Sequence, residues 1–336
     1  MGKIGIVTYY SAVNNGAFLQ AYCLTKFLEN KYDKKVYFIK SNIDYLENYK
    51  KTILKTKNPL KIIFNYKRYT SIKKNILQHF NFADTDDWYD LVVVGSDEMW
   101  NFNNKLYSEY NIASKLLCDR KISYAISMGD FDGQLSEIVC NEIKRFYKLS
   151  VRDINSKNIL SKSGFENVEL NIDPVFLSDI KADKIKNMKP FLLVYGRINN
   201  KNKINEIKKF SKNNGLQIIS IDIYNEWAKN ISSNSPFEFY GYISSAELVI
   251  TNMFHGAMLS LKANKKFISI LTTRRKKKIE YFSKKIGFEK YCIEDNICGD
   301  KFYEHLQYCY NNCLDYAYIN SKIQEEIDKT INYFTF

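Results

Sequence analysis

The feature that most constrains the fold is a largely apolar stretch at residues 246–261, AELVITNMFHGAMLSL. Residues 248–250 form an apolar run short enough for a buried parallel strand, and residues 251–255 form a polar turn. An almost wholly apolar helix start follows at residues 256–263. A strand, a turn and a buried helix make half of a βαβ unit, so the turn should lie at the carboxyl end of a sheet, where open α/β folds bind ligands.

His255 lies on this turn and is one of three histidines in the chain. Free backbone N–H groups at a helix N-terminus attract phosphate or carboxylate, and an imidazole beside them can exchange protons near neutral pH. The turn therefore predicts an acid/base residue next to an anion, with Asn252 and Gly256 as candidate substrate-binding residues. The alternative is that His255 only caps the helix or fills a packed corner.

The N-terminus has the same strand–turn–helix pattern, with a strand at residues 3–9 and a buried helix at residues 17–29. In the turn between them, Asn15 can cap the helix and Gly16 allows the backbone to approach a ligand closely. The turn lacks the Gly-x-Gly-x-x-Gly spacing of dinucleotide-binding folds, which disfavours a nicotinamide cofactor.

Polar residues also follow other predicted strands. Ser96 and Asp97 come after the apolar run at residues 91–94, where Asp97 is a candidate base, a partner for a sugar hydroxyl, or a cap for the next turn. Arg152 and Arg197 each follow a short strand, and an arginine there can clamp an anion with two hydrogen bonds. The alternative for Arg152 is an ion pair with Asp153 or Asp173.

At 336 residues the chain is long enough for two domains. Residues 1–180 and 190–318 each predict a Rossmann-like α/β domain, and residues 319–336 predict a C-terminal helix that packs across both. Within the second domain, residues 237–240 are expected to be short and extended. The predicted fold class is therefore α/β, with two Rossmann-like domains facing a cleft that binds an anion and a hydroxyl-rich partner.

The formal net charge of +13 is concentrated in places. Residues 48–83 contain no acidic residue and form a basic amphipathic segment, which is interpreted as a lid, a surface for anionic lipid or glycan, or a solvated helical excursion. The five consecutive cations at residues 274–278 are expected to form a solvated face. No nucleic-acid-binding motif accompanies the charge, so nucleic acid is not an expected partner.

Other classes of protein are disfavoured by what the sequence lacks. No stretch reaches the roughly 18 uncharged apolar residues of a membrane span, and no apolar segment of signal-peptide type follows the N-terminal charge. The seven cysteines have irregular spacing, with no histidine or second cysteine pair to complete a metal site. We therefore expect a cytoplasmic protein, in contact with a membrane at most peripherally, and no bound metal.

Several of these stretches resemble the polysaccharide pyruvyl transferase family. The matching pieces occur in order along the chain: GIVTYY at 5–10, NNGAFLQAY at 14–22, DLVVVGSDEMWN at 90–101, SYAIS at 123–127, SVRD at 150–153, DP at 173–174 and TNMFHG at 251–256. The resemblance implies the two-domain architecture of the GT-B glycosyltransferases and transfer of pyruvate from phosphoenolpyruvate to a sugar as a ketal. It implies no cofactor besides that donor.

The resemblance also assigns roles to residues. The family's key histidine falls on His255, and its donor-binding arginine falls on Arg152. Some members carry an arginine two positions before the histidine, where this chain has Met253. Either Arg197 or Arg274 replaces that cation, or the donor differs.

The acceptor implied by the resemblance is a sugar of a cell-surface polysaccharide, such as a capsule or exopolysaccharide, or its lipid-linked precursor. Contact with the inner membrane face would accompany a lipid-linked acceptor. Two other functions remain open from the sequence: a glycosyltransferase of similar architecture that uses a nucleotide sugar, and a non-catalytic module that binds polyanions through its basic surface.

Overall fold

The computed structural model describes residues 2–41, 43–105, 107–186, 188–273 and 276–336. The first half of the chain forms a parallel sheet of five strands: β1 (Ile4–Val7), β2 (Val36–Ile39), β3 (Phe82–Ala83), β4 (Trp88–Val94) and β5 (Leu117–Ser123). Their order across the sheet is β3-β2-β1-β4-β5. A two-stranded parallel sheet of β6 (Leu149–Val151) and β7 (Val168–Leu170) continues from β5 through isolated bridges.

The second half forms a parallel sheet of six strands: β8 (Phe191–Tyr195), β9 (Gln217–Ile221), β10 (Lys229–Ile231), β11 (Leu248–Thr251), β12 (Phe267–Leu271) and β13 (Cys292–Glu294). Their order is β10-β9-β8-β11-β12-β13. In both sheets the first strand of the chain is an inner one, the next strands are added on one side of it and the later strands on the other. This is the doubly wound order of Rossmann-like folds. The predicted α/β fold class is confirmed.

Helices connect the strands in both halves. The first half contains α1 (Asn15–Tyr32), α2 (Tyr45–Ile53), α3 (Pro59–His79), α4 (Glu137–Ile143) and α5 (Ile154–Lys162). The second contains α6 (Lys201–Asn213), α7 (Pro236–Ser245), α8 (Phe254–Lys262), α9 (Lys276–Ile286), α10 (Asp300–Asn311) and α11 (Tyr316–Tyr333). The inner strands β1, β8, β11 and β12 are fully buried, as expected of parallel strands covered on both faces.

Two local predictions are wrong. Residues 237–240 belong to α7 and are not extended, because Ser235 caps the helix at Glu238 N and Pro236 occupies its first turn. The cap of α1 is Asn14 and not Asn15, since Asn14 Oδ1 accepts hydrogen bonds from Gly16 N at 2.9 Å and Ala17 N at 3.2 Å.

The two halves share one apolar core. A continuous cluster of buried side chains includes strands of both sheets and runs from Ile4 to Phe334, while a second cluster lies within the first half. The last helix, α11, contacts both halves: Tyr333 Oη donates to Ser123 O at 2.6 Å, and Lys285 pairs with Glu326. None of the helices in the described residues is long and apolar enough to cross a membrane.

We predict that the C-terminal helix contributes to stability through Tyr333, which is 2% exposed. Tyr333→Ala should lower the free energy of unfolding by about 3–5 kcal/mol, because it leaves a cavity the size of an aromatic ring. Tyr333→Phe keeps the ring and loses one hydrogen bond, so it should cost about 1 kcal/mol. Urea unfolding measures both. As a control, Tyr318→Ala on the same helix should stay within about 0.5 kcal/mol, since Tyr318 is 49% exposed.

Candidate active site

A cavity of about 210 Å³ opens between the carboxyl ends of the two sheets. Eleven residues line it: Tyr9, Asn14, Asp97, Glu98, Asn104, Arg152, Tyr195, Met253, Phe254, His255 and Lys278. Most follow β1, β4, β8 or β11. These are the strands between which the strand order reverses in each sheet, the position where open α/β folds bind ligands.

Arg152 directly follows β6, and its side chain is only 3% exposed. Its Nη1 donates to Asp173 Oδ2 at 2.7 Å and its Nη2 donates to Asp97 Oδ1 at 2.8 Å. The guanidinium carbon lies 4.4 Å from the ring centre of Phe254, which adds a cation–π contact from the second half. Two carboxylates thus balance one buried cation, which would otherwise be costly to remove from water.

Asp173 connects Arg152 to the histidine. His255 Nε2 lies 3.6 Å from Asp173 Oδ2, and both side chains are almost fully buried. Burial acts to raise the pKa of Asp173, but the charges of His255 and Arg152 outweigh burial and lower the pKa to about 2. Asp97 follows the same pattern: its pKa lies below its ordinary value because Arg152, His255 and Lys278 outweigh burial. Both carboxylates are therefore ionised at neutral pH.

Two nitrogens beside the cavity remain unsatisfied. His255 Nε2 and Arg152 Nε are buried and have no hydrogen-bond partner among the described residues. Buried polar groups are nearly always paired in proteins, and exceptions concentrate at functional sites. The arrangement is therefore suited to a ligand that accepts a hydrogen bond from the guanidinium and exchanges a proton with the imidazole.

The start of α1 packs against His255. A Cβ atom on Gly16 would lie 2.5 Å from His255 Cβ and 3.0 Å from Nδ1, so a larger residue would displace the ring. His255 is the second residue of α8, whose N-cap is Met253, and Met253 supplies no side-chain cap. The histidine is therefore not a helix cap. Residues at the start of α8 line the cavity, so the positive end of the helix dipole faces it.

A second ion pair crosses the cavity. Lys278 of α9 donates to Glu98 Oε1 at 2.6 Å, and the lysine side chain is 3% exposed. Burial lowers the pKa of Lys278, and for Glu98 the charge of Lys278 outweighs burial and lowers its pKa. The prediction of a solvated face at residues 274–278 is therefore wrong for Lys278, which lies on the buried side of α9 with Phe282 and Ile286.

The structure separates the predicted site residues into two groups. His255, Arg152 and Asp97 line the cavity, and Ser96 lies beneath it, where Arg152 Nη1 donates to Ser96 Oγ at 3.4 Å. Arg274 lies outside the described residues. The other predicted residues do not line the cavity: Asn15, Gly16, Arg197, Asn252 and Gly256.

Arg197 is exposed to solvent and does not line the cavity. Its carbonyl oxygen accepts a hydrogen bond from Asn252 Nδ2 at 2.9 Å. Gly256 allows close packing, since a Cβ there would lie 2.1 Å from Thr251 Oγ1.

Asn15 connects the two halves. Its Nδ2 donates to Asp222 Oδ2 at 2.6 Å and to Ser233 Oγ at 2.9 Å, and all three side chains are buried. Asn14, its neighbour, accepts a hydrogen bond from Tyr195 Oη at 3.2 Å and lines the cavity. The turn predicted for the site therefore lies at the cavity, where Asn14 lines it and Asn15 joins the two halves.

Several lining residues were not predicted from the sequence, notably Lys278, Glu98, Tyr9 and Tyr195. One pattern could have identified Lys278: it precedes the buried Phe282 and Ile286 by four and eight residues, and so shares their helix face. Asp173 was predicted only as one of two possible ion-pair partners of Arg152 and as part of a family motif. The structure confirms the pair, across 21 residues of chain.

Solved structures share the two-domain Rossmann-like fold of this chain. The chain is similar to Staphylococcus aureus MnaA, solved with UDP (TM-score 0.56, 12% identity, 99% of this chain and 96% of that one). It is also similar to UDP-GlcNAc 2-epimerases from Methanocaldococcus jannaschii (0.52, 17%) and Neisseria meningitidis (0.50, 12%), each covering 99% of this chain and 100% of the other. At these identities the likeness concerns the fold, which is that of the GT-B-like enzymes.

The family follows from the sequence. The model of the polysaccharide pyruvyl transferase family matches residues 14–273, which is most of the chain and includes Arg152, Asp173 and His255. The sequence matches no curated protein. The chain belongs to the polysaccharide pyruvyl transferase family and is a transferase.

We predict that Asp173 makes stability depend on pH in the acid range. Its pKa falls from an ordinary 3.8 to about 2 in the folded protein, which is worth about 2 kcal/mol. Because the folded pKa is lowered, this contribution is complete above about pH 5 and is lost as the pH falls through 3.8 towards 2.

Urea unfolding of the wild type and of Asp173→Asn from pH 6 to pH 3 measures the effect. The variant should be about 3–5 kcal/mol less stable at pH 6, because Arg152 loses one of its buried partners. The difference between the two proteins should shrink by about 1 kcal/mol at pH 3. A difference that stays constant across this range would contradict the pKa.

Proposed function

We propose that this enzyme transfers pyruvate from phosphoenolpyruvate to a sugar and forms a cyclic ketal. The observation that carries the proposal is the unsatisfied Nε2 of His255, buried beside Asp173 at the rim of a cavity that also contains Arg152 and Lys278. The family membership supports the reaction class. An imidazole with an unpaired nitrogen and two cationic side chains beside the cavity support the choice of donor.

Phosphoenolpyruvate carries a phosphate and a carboxylate, so its site needs two centres of positive charge. The first centre is the N-terminus of α8, which has no side-chain cap, together with Arg152. The guanidinium of Arg152 contacts Phe254, the first residue of α8, and its Nε has no hydrogen-bond partner among the described residues. Lys278 is the other cation that lines the cavity, whereas Arg197 does not reach it. We propose that Lys278 replaces the arginine that some family members carry at the position of Met253.

In the proposed mechanism His255 acts as an acid and then as a base. The imidazolium protonates the methylene carbon of the donor, and a sugar hydroxyl adds to the adjacent carbon as its proton returns to the imidazole. Phosphate then leaves and the second hydroxyl closes the ketal. The proton that the imidazolium gave to the methyl group is restored to the imidazole by one hydroxyl. The proton of the other hydroxyl departs with phosphate. The carboxylate of Asp173 faces the imidazolium that forms in the cycle.

The acceptor needs two neighbouring hydroxyls, which a sugar of a cell-surface polysaccharide or of its lipid-linked precursor provides. Asp97 and Glu98 line the cavity and are suited to accept hydrogen bonds from such hydroxyls. A lipid-linked precursor would require contact between the enzyme and the inner membrane face.

The second candidate function is glycosyl transfer from a nucleotide sugar. The similar fold solved with UDP is consistent with it. The cavity argues for the smaller donor, because about 210 Å³ is below the ~300–1,000 Å³ of pockets that enclose drug-sized ligands.

We predict that His255→Ala abolishes turnover without abolishing donor binding. Loss of an acid/base group should lower the rate of phosphate release from phosphoenolpyruvate by about 10²–10⁴-fold in the presence of an acceptor. The assay is release of inorganic phosphate with a panel of hexose and N-acetylhexosamine glycosides. His305→Gln, on the remote helix α10, is the matched control and should keep the wild-type rate. Full turnover by His255→Ala would exclude the mechanism.

We predict that Lys278→Met weakens phosphoenolpyruvate binding about 10–100-fold, because a charge-assisted hydrogen bond contributes about 1.5–3 kcal/mol. The measurement is the ligand-dependent rise in melting temperature, which depends on ligand concentration relative to Kd. Lys278→Arg should stay near wild type. Lys277→Met removes the same charge from the exposed neighbouring position and is the matched control. Stabilisation of the wild type by nucleotide sugars but not by phosphoenolpyruvate would favour glycosyl transfer.

A further inference from the structure

The outer surface of α2, α3 and the loop between them exposes large apolar side chains. Thirteen such side chains are strongly exposed among the described residues, and five of them fall within residues 54–77. They are Leu54 (79% exposed), Leu60 (65%), Ile63 (55%), Tyr66 (54%) and Leu77 (68%). Single exposed apolar residues are common, but a concentration of this kind marks an interaction surface.

Leu54 lies in the loop before α3, and the other four residues lie on the side of α3 opposite its packed face. Ile63 and Leu77 are fourteen residues apart, which is four turns of helix, so they share one stripe that also contains Thr70. Phe64, Ile72 and Ile76 are buried on the other side. Helix α3 thus has one apolar face against the protein and a second one towards solvent.

The same surface is strongly cationic. Residues 48–83 contain nine basic side chains and no acidic one, and seven of the nine are exposed: Lys50, Lys51, Lys55, Lys57, Lys67, Lys73 and Lys74. Within the part of the chain that the structure describes, only Lys50 among these lysines forms an ion pair, with Glu47. The remaining lysine charges are therefore available to an anionic partner.

We propose that the exposed face of residues 50–77 docks on an anionic membrane surface. Aliphatic side chains surrounded by lysines are the composition of helices that lie in a bilayer interface, where apolar burial and attraction to anionic headgroups act together. A surface for nucleic acid would need the cations but not the exposed leucines, because phosphate contacts come from charged and polar groups. The apolar side chains therefore favour a membrane.

The inner face of α3 connects this surface to the cavity. Arg68 Nη2 donates to Val13 O at 3.0 Å, and Val13 directly precedes the cavity-lining Asn14. Asn75 Nδ2 donates to Asn234 O in the second half at 3.3 Å. Membrane contact would thus place the cleft close to the bilayer, which suits a lipid-borne acceptor; this last point rests on the proposed function, whereas the docking itself does not.

Co-sedimentation with vesicles tests the docking without any turnover. The full chain should partition at least about ten-fold more strongly onto vesicles containing phosphatidylglycerol than onto phosphatidylcholine vesicles. The triple variant Leu54→Ser, Leu60→Ser and Ile63→Ser should lose at least about ten-fold of this partition. Exposed apolar residues outside the surface provide the matched control, and the double variant Leu117→Ser and Ile138→Ser should bind like the wild type.

The contribution of charge is measured in the same way. Lys55→Gln, Lys57→Gln and Lys67→Gln together should weaken binding about 100-fold at low salt, since each cation near the surface contributes about 1 kcal/mol. The matched control removes three exposed lysines of α6, Lys201, Lys208 and Lys212, a helix without a large exposed apolar side chain among its described residues. Circular dichroism establishes that every variant is folded.

Other patterns of binding overturn the docking proposal. Equal partition onto neutral and anionic vesicles, or none onto either, excludes an anionic membrane as the partner. Binding that depends on the lysines but not on the leucines, together with equally tight heparin or RNA binding, identifies a general polyanion surface instead. Vesicle binding by an enzyme that does not release phosphate from phosphoenolpyruvate would leave the docking surface intact and reject only the proposed function.

Discussion

The interaction on which the rest of the site depends is the buried guanidinium of Arg152 between Asp97 and Asp173. A charge in this position is tolerated only when its partners are in place, and removing one of them would leave an uncompensated charge in a low-dielectric environment. Three segments far apart in sequence are therefore held in one arrangement. Asp173 extends that arrangement to His255, because a single carboxylate faces both the arginine and the imidazole.

The site also depends on contact between the two halves of the chain. Lys278 pairs with Glu98, and Tyr195 bonds to Asn14, each across the cleft. The buried Asn15–Asp222 hydrogen bond joins the halves behind the cavity, and burial raises the pKa of Asp222. The cavity thus takes Arg152, Asp97 and Glu98 from the first half and His255 and Lys278 from the second, and neither half alone forms it.

The strands and several residues of the cleft could be predicted from the sequence, because a local pattern specifies them. Apolar runs of four or five residues followed by polar turns predicted the central strands of both sheets, and the carboxyl-end rule then brought His255, Arg152 and Asp97 to one cleft. The predictions failed where a residue's environment is supplied by distant segments. Lys278 looks like a solvated cation within a basic run, and only the approach of Glu98 from the other half makes its burial favourable.

The sequence by itself determined the α/β class, the family and the turn that carries the histidine, because strand and helix periodicities and ordered motifs are local properties. The tertiary structure decided which side chains meet. Of the two aspartates that the sequence offered as partners of Arg152, Asp173 forms the pair and Asp153 caps α5, and Lys278 rather than Arg197 lines the cavity. Ion pairs of this kind depend on distances of a few ångströms between segments separated by tens or hundreds of residues, and no local pattern encodes those distances.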